Sequence, residues 1–257
     1  MEKKSKKRKQ PDIKPSDLPY EIIGFDNKDK PWHESWYPGR DPLNLPHPWR
    51  VVASGPPNSG KSTVIKNLLA RADPPFKRIV IVYPGGKEGT MEYEALDGAA
   101  EYLDSIPPPE HFPTMRQNGK GNFLKTLVMV DDFELKEIGK HQRASLDRLV
   151  GHVSTHRNVS VVLCSQDWYN FSPIVRRCAS TYILWKPRDH RSINTISQRV
   201  GQDMVQLFAL CKGVHDSIWI DLSPSTPLPL RFNGYIPILR HDPKQGENTK
   251  QEETSDE

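Results

Sequence analysis

One nonapeptide constrains this chain more than any other feature. Gly55-Pro56-Pro57-Asn58-Ser59-Gly60-Lys61-Ser62-Thr63 fits the pattern G-x-x-x-x-G-K-[ST] at every position. At ordinary Gly and Lys usage, chance produces that pattern in about one chain in a hundred. Its setting makes chance a poorer explanation still. An apolar run, Trp49–Ser54, leads into it and an amphipathic stretch, Lys61–Arg71, leads out, which is the strand–loop–helix order a phosphate-cradling loop requires. Gly55 and Gly60 allow the backbone conformations and close approaches that turn loop N–H groups inward onto an anion. A helix beginning at Lys61 adds unpaired N–H groups and the positive end of its dipole. Lys61 brings a point charge to the β- and γ-phosphates, and Ser62 brings a hydroxyl to Mg²⁺. Pro56, Pro57, Asn58, Ser59 and Thr63 complete the expected nucleotide-binding set.

The rest of the chain from Trp49 onward has a matching texture. Short apolar runs occur at Trp49–Ser54, Arg78–Tyr83, Thr126–Val130, Ser160–Ser165, Thr181–Trp185 and Ser217–Asp221. Near-continuous Val/Ile/Leu runs are expected for strands covered on both faces, hence for a parallel sheet with helices on each side. The helices are expected at Lys61–Arg71, Gln142–Thr155, Ser192–Val200 and Met204–Cys211. The stretch Gly85–Lys125, with three consecutive prolines at Pro107–Pro109, reads as an excursion carrying one short helix. The fold class is therefore α/β, a phosphate-loop domain with a mostly parallel sheet and helices on both faces.

Composition sets the boundaries of that domain. Hydrophobic residues make up 35% of the chain and prolines number 24, a mixture expected of a normal core with polar or irregular ends. Residues 1–15 hold a dense run of Lys and Arg, and residues 241–257 an acidic tail poor in apolar residues. Neither has enough apolar surface to offset its ordering entropy, so both are expected to be disordered. The basic head suits a nuclear import signal or a nucleic-acid arm as well as a merely solvated end. Residues 16–48 read as an irregular arm rich in Pro and aromatics, with the catalytic domain spanning 49–240. No apolar run approaches the ~18 residues of a membrane span, and the basic start lacks the apolar core of a secretory signal. Cys164, Cys178 and Cys211 form no CxxC pair, which argues against a zinc module or disulfide framework. Cys164, inside an apolar run, reads as core rather than nucleophile. The histidines, His215 among them, show no metal-ligand spacing.

A phosphate loop needs an acidic residue after a neighbouring buried strand. Leu127-Val128-Met129-Val130-Asp131-Asp132 supplies it. Asp131 is expected at the strand's C-terminal end, where parallel sheets hold ligands, as a Mg²⁺ ligand. Asp132 follows as the group that polarises an attacking water. Gln166 ends the run Ser160–Ser165. If that strand neighbours Trp49–Ser54, its amide lies beside the phosphate loop, able to sense a γ-phosphate or hold water.

These pieces together resemble a known group. GPPNSGKST, LVMVDDF, the Gln-ended strand SVVLCSQ preceded by His-Arg-Asn, and SPIVRRCASTYILWKPRD are similar to the FtsK/HerA superfamily of DNA-translocating ATPases. Within it they are most similar to the genome-packaging ATPases of large double-stranded DNA viruses and Maverick/Polinton elements. The resemblance covers Trp49 to Asp221. It implies a RecA-like ATPase that forms a ring, usually a hexamer, of identical subunits around double-stranded DNA, with Mg²⁺-ATP hydrolysed at subunit interfaces and a capsid or portal protein as partner. It implies residence in the host nucleus, a cytoplasmic virus factory or the virion. Carried over, Lys61 and Ser62 bind phosphate and metal, Asp131 binds metal, Asp132 takes the catalytic carboxylate position and Gln166 is the sensor. Many relatives have Glu where Asp132 stands. The trans-acting arginine of the family corresponds to Arg157, with Arg176 and Arg177 as competitors. Lys120, Lys125, Lys136, Lys140, Lys186, Arg188 and Arg191 are the candidates for contacting DNA phosphates. A phosphate-loop kinase and a nucleotide-gated binding switch share the same loop and remain as alternatives.

Overall fold

A computed structural model describes residues 44–89, 92–114, 124–223, 226 and 228–238. The basic head, residues 16–43 of the arm, Lys120 and the acidic tail lie outside the described residues.

All six apolar runs form strands: β1 (Arg50–Ser54), β2 (Arg78–Val82), β4 (Thr126–Val130), β5 (Val159–Ser165), β6 (Thr181–Trp185) and β7 (Ser217–Asp221). Three short strands join them, β3 (Ala100–Leu103), β8 (Leu230–Phe232) and β9 (Ile236–Pro237). The sheet order is β3-β2-β4-β5-β1-β6-β7-β8-β9. From β3 through β6 every pairing is parallel; β7, β8 and β9 are antiparallel. Both departures from expectation have a physical cause. Burial alone marked β7 as a parallel strand, yet a strand covered on both faces can run either way. Among its described residues the excursion 85–125 contains β3 and three 3₁₀ turns, Gly86–Gly89, Glu94–Leu96 and Pro109–His111. Strand β3 is only partly buried, so it lacks the apolar run that announces the others.

The period-2 alternation of strand side chains divides the core in two. Val51 and Ala53 of β1, Leu127 and Met129 of β4 and Cys164 of β5 pack on one face with Ile65, Tyr93, Trp185 and Trp219. Ile65 belongs to α1 (Lys61–Ala70), the helix that leaves the phosphate loop. Val52, Val128, Val130, Val161 and Leu163 face the other way. They meet α2 (Lys140–Arg148), α3 (Pro173–Cys178), α4 (His190–Val200) and α5 (Met204–Ala209) through Leu146, Val175, Ile196 and Phe208. Each such side chain contributes about 1.5–3 kcal/mol when fully buried. The long helix expected over 142–155 is interrupted: α2 passes into a π turn, Leu149–Val153, before one last α turn at Ser154–His156. That turn still buries Leu149, Val150 and Val153.

Candidate active site

Strand order brings the separate sequence signals together. Strand β5 pairs in parallel with β1 on one side and β4 on the other. The phosphate loop, the Asp131-Asp132 pair and Gln166 therefore leave three adjacent strands at the same C-terminal edge. The condition attached to Gln166 in the sequence is met: Ser54 stands opposite Ser165, and Gly55 N–H donates to the Ser165 carbonyl at 3.2 Å.

The loop's geometry follows from its residue types. A Cβ on Gly55 would lie 2.7 Å from Cβ of Trp185 and 3.0 Å from Oγ of Ser59, so no larger residue fits. Asn58 and Gly60 adopt left-handed backbones, with φ of 59° and 94°. Helix α1 has no side-chain cap and no acid in its first turn, and Val64 is the first of its residues to bond backward, to Gly60 O at 3.0 Å. The N–H groups ahead of Val64 are left over by helix geometry and open to an anion. Ser59 is fully buried, and its Oγ has no hydrogen-bond partner. An orphaned hydroxyl costs folding free energy until something bonds it. Lys61 Nζ donates to the carbonyls of Gly55 and Pro56, both at 2.9 Å, which holds the ammonium over the loop.

The acidic half is equally ordered. Ser62 Oγ donates to Asp131 Oδ2 at 3.2 Å, and Tyr93 OH donates to the same oxygen at 2.6 Å. Asp132 N–H donates to Asp131 Oδ1 at 3.0 Å. Asp131 is only 5% exposed. Burial holds its carboxyl above the usual carboxylate range, while the Tyr93 and Ser62 hydroxyls pull it back. Asp132 sits at φ 58°, a backbone that Asp tolerates better than most residues. Its exposed carboxylate accepts from Gln166 Nε2 at 3.3 Å through Oδ1 and from Tyr83 OH at 3.3 Å through Oδ2. Lys61, Ser62, Thr63, Asp131, Asp132 and Gln166 all line one cleft of about 440 Å³.

The residue set suits a nucleoside triphosphate with a hard divalent cation. Ser62 Oγ and Asp131 Oδ2 are oxygen donors of the kind Mg²⁺ takes, alongside waters and phosphate oxygens. Among the described residues no cluster of three His, Cys, Asp or Glu could hold a metal, so this is not an all-protein cage.

Several lining residues carried no sequence signal. Tyr83, Glu92 and Lys66 line the same cleft, and Tyr93 reaches Asp131 from the other side of an unremarkable turn. His215, on the loop before β7, brings Nδ1 within 3.3 Å of the Ser59 carbonyl, and its own carbonyl accepts from Trp185 Nε1 at 3.2 Å. Spacing could not find these, because each reaches the site from a distant element. Cys164 is buried with its thiol pushed well above the usual range by that burial, as a core residue should be.

Arg157 precedes β5 and Gln166 follows it, so the length of the strand, about 20 Å at ~3.3 Å per residue, stands between them. Its Nη1 donates to the carbonyls of Pro109 and Phe112. Arg176 stacks 5.7 Å over Trp168. Among the basic candidates, Lys136 pairs with Asp167 at 2.8 Å, Arg191 lies over Tyr169, and Lys140, Lys186 and Arg188 are exposed. Lys125 Nζ donates to the Pro74 carbonyl at 2.8 Å.

No protein-family model and no curated protein matches the chain in sequence. Solved structures do match in fold. The genome-packaging NTPase B204 of Sulfolobus turreted icosahedral virus 2, in complex with AMPPCP, gives a TM-score of 0.52 at 17% identity, covering 77% of this chain and 100% of that one. Its ATP-gammaS complex gives 0.51 at 18% identity, covering 78% and 100%. B204 of Sulfolobus turreted icosahedral virus, a DNA-packaging ATPase, gives 0.51 at 15% identity, covering 75% and 100%. At such identities the likeness is one of fold: the chain has the mostly parallel phosphate-loop NTPase architecture expected from its sequence.

Proposed function

We propose that the chain is a Mg²⁺-dependent ATPase that drives double-stranded DNA into a viral capsid. In this reading it works as a ring of identical subunits, a hexamer, with ATP hydrolysed where subunits meet. The observation that carries the reading is the convergence in one cleft of the Lys61 ammonium, the Ser62–Asp131 pair and the Asp132–Gln166 pair. The fold it shares with B204 gives the packaging role its context.

The chain's own groups divide the work. The loop's inward N–H groups and Lys61 hold the β- and γ-phosphates. Ser62 and Asp131 would hold Mg²⁺, which when bound neutralises charge on those phosphate oxygens. Asp132, oriented by Gln166 and Tyr83, positions a water and accepts its proton. Gln166 lines the same cleft and bonds Asp132, so as a sensor its hydrogen bonds would change with loss of the γ-phosphate and pass that change to the loop after β5. A partner subunit's guanidinium, Arg157 in this proposal, would add positive charge at the transferring group. DNA would be held through phosphate contacts, which are sequence-independent and salt-sensitive. Capsid or portal protein is the proposed docking partner, in the host nucleus, a virus factory or the virion.

The test is ATP hydrolysis with and without double-stranded DNA, on protein whose mass in solution is known. DNA-stimulated turnover by an oligomer, abolished in a folded Lys61→Ala variant, is the expected result. Phosphate transfer to a small acceptor would make it a kinase. Tight nucleotide binding without turnover, indifferent to DNA, would make it a switch.

A further inference from the structure

The opposite end of the sheet holds a second cleft, of about 350 Å³, lined by Arg50, Thr155, Arg177, Cys178, Ser180 and Ser223 among others. Arg50 opens β1, and its backbone is pinned on both sides. It stands opposite Val161 of β5, and its N–H donates to Ser180 Oγ at 3.1 Å. The half-buried guanidinium donates through Nη1 to Thr155 Oγ1 at 3.2 Å, while Nε is buried without an acceptor. Burial depresses its ionisation, and no carboxylate acts on it. Among the described residues neither Arg50 nor Arg177 forms an ion pair. Arg177 is exposed. Ser223 is 6% exposed, and its Oγ also lacks a partner.

A desolvated cation without a counter-charge, beside an orphaned hydroxyl, costs stability. Such a cost is offset when an anion enters. Arginine forks match phosphate oxygens and carboxylates alike. Here donors reach the space from β1, from α3 and from the end of β7, which suits a tetrahedral anion with several acceptor oxygens better than a planar carboxylate. We propose that this cleft binds a phosphate group, carried either by a free phosphate or by a nucleic-acid backbone. The site is separate from the phosphate loop and does not depend on the reading of that loop.

The experiment titrates the full chain with inorganic phosphate, and separately with a short DNA duplex, following the Nε–Hε NMR resonance of Arg50. Phosphate also enters the phosphate loop, so the decisive comparison is with Arg177→Gln, whose loop is intact. Phosphate should shift the Arg50 resonance saturably, with an apparent affinity at least about tenfold weaker in Arg177→Gln. Ser223→Asp, which sets a carboxylate in the cleft, should abolish the shift. A matching response to the duplex identifies a nucleic-acid backbone as the source, and a response to phosphate alone identifies a free phosphate; both uphold the site. A resonance that moves with neither probe overturns it. So does a response equal in Arg177→Gln, or one given by an acidic peptide and not by phosphate.

Discussion

Gly55 and Tyr93 show how single residues set the site's chemistry. Gly55 is small because Trp185 stands against it. Gly55→Ala must push the loop or the indole aside, at about 1–3 kcal/mol of stability. Nucleotide affinity should fall with it, as thermal melts with and without nucleotide would register. Tyr93 acts through Asp131. Its hydroxyl stabilises the ionised carboxylate against a burial that raises the carboxyl's pKa. In Tyr93→Phe that pKa climbs further. A cation needs the ionised form, so the acid limb of the Mg²⁺-dependent pH–rate profile should move to higher pH. An unmoved limb would refute the coupling. The same shift has a stability consequence with a definite sign. A carboxyl raised by folding binds protons in the native state that the unfolded chain has already lost. Without a cation, stability is therefore lost as pH rises from the ordinary carboxylate range through Asp131's raised value. Melting temperatures of the cation-free protein should show that slope, and Asp131→Asn should flatten it.

Helices and strands add links that no one residue reveals. Ser172 caps α3, its Oγ accepting from Val175 N–H at 3.1 Å while donating to Asp147 of α2 at 2.6 Å. Ser172→Ala removes the cap and the tie together, and should cost about 1–2 kcal/mol in chemical denaturation with no change in nucleotide binding. The antiparallel flank carries a buried ion pair. Arg231 of β8 and Asp221 of β7 are both fully buried, 3.5 Å apart, with Arg231 stacked 5.8 Å from Trp219. Asp221→Ala leaves that guanidinium buried without its carboxylate, so a loss of about 3–5 kcal/mol is expected. An unfolding free energy within ~0.5 kcal/mol of the parent in denaturant titration would contradict it. The flank matters to the site because the loop entering β7 carries His215 to the phosphate loop.

For the whole molecule, the expectation is cooperation between copies. Mixing Lys61→Ala subunits into the parent protein should depress hydrolysis more steeply than their mole fraction if neighbours complete each other's sites. Strict proportionality would argue for independent subunits. Much of this was written in local chemistry. The phosphate loop, the buried strand ending in two aspartates and the Gln-ended strand each declare themselves, because a tight anion-facing turn and a strand covered on both faces accept few residue types. Reading β7 as parallel failed because burial carries no information about strand direction, and β3 went unseen because it is half-exposed. Tyr93, Tyr83, His215 and the Arg50 cleft could not be read in advance at all. A tyrosine or an arginine is compatible with many environments, and only the ordering of strands decides which one it enters. The sequence by itself determined the loop, the pair of aspartates that ends a buried strand and the α/β class, because those depend on backbone freedom and periodicity within a few residues. Tertiary structure alone decided that β5 lies between β1 and β4, and so which distant side chains meet, because contacts across a sheet depend on pairings that no local stretch encodes.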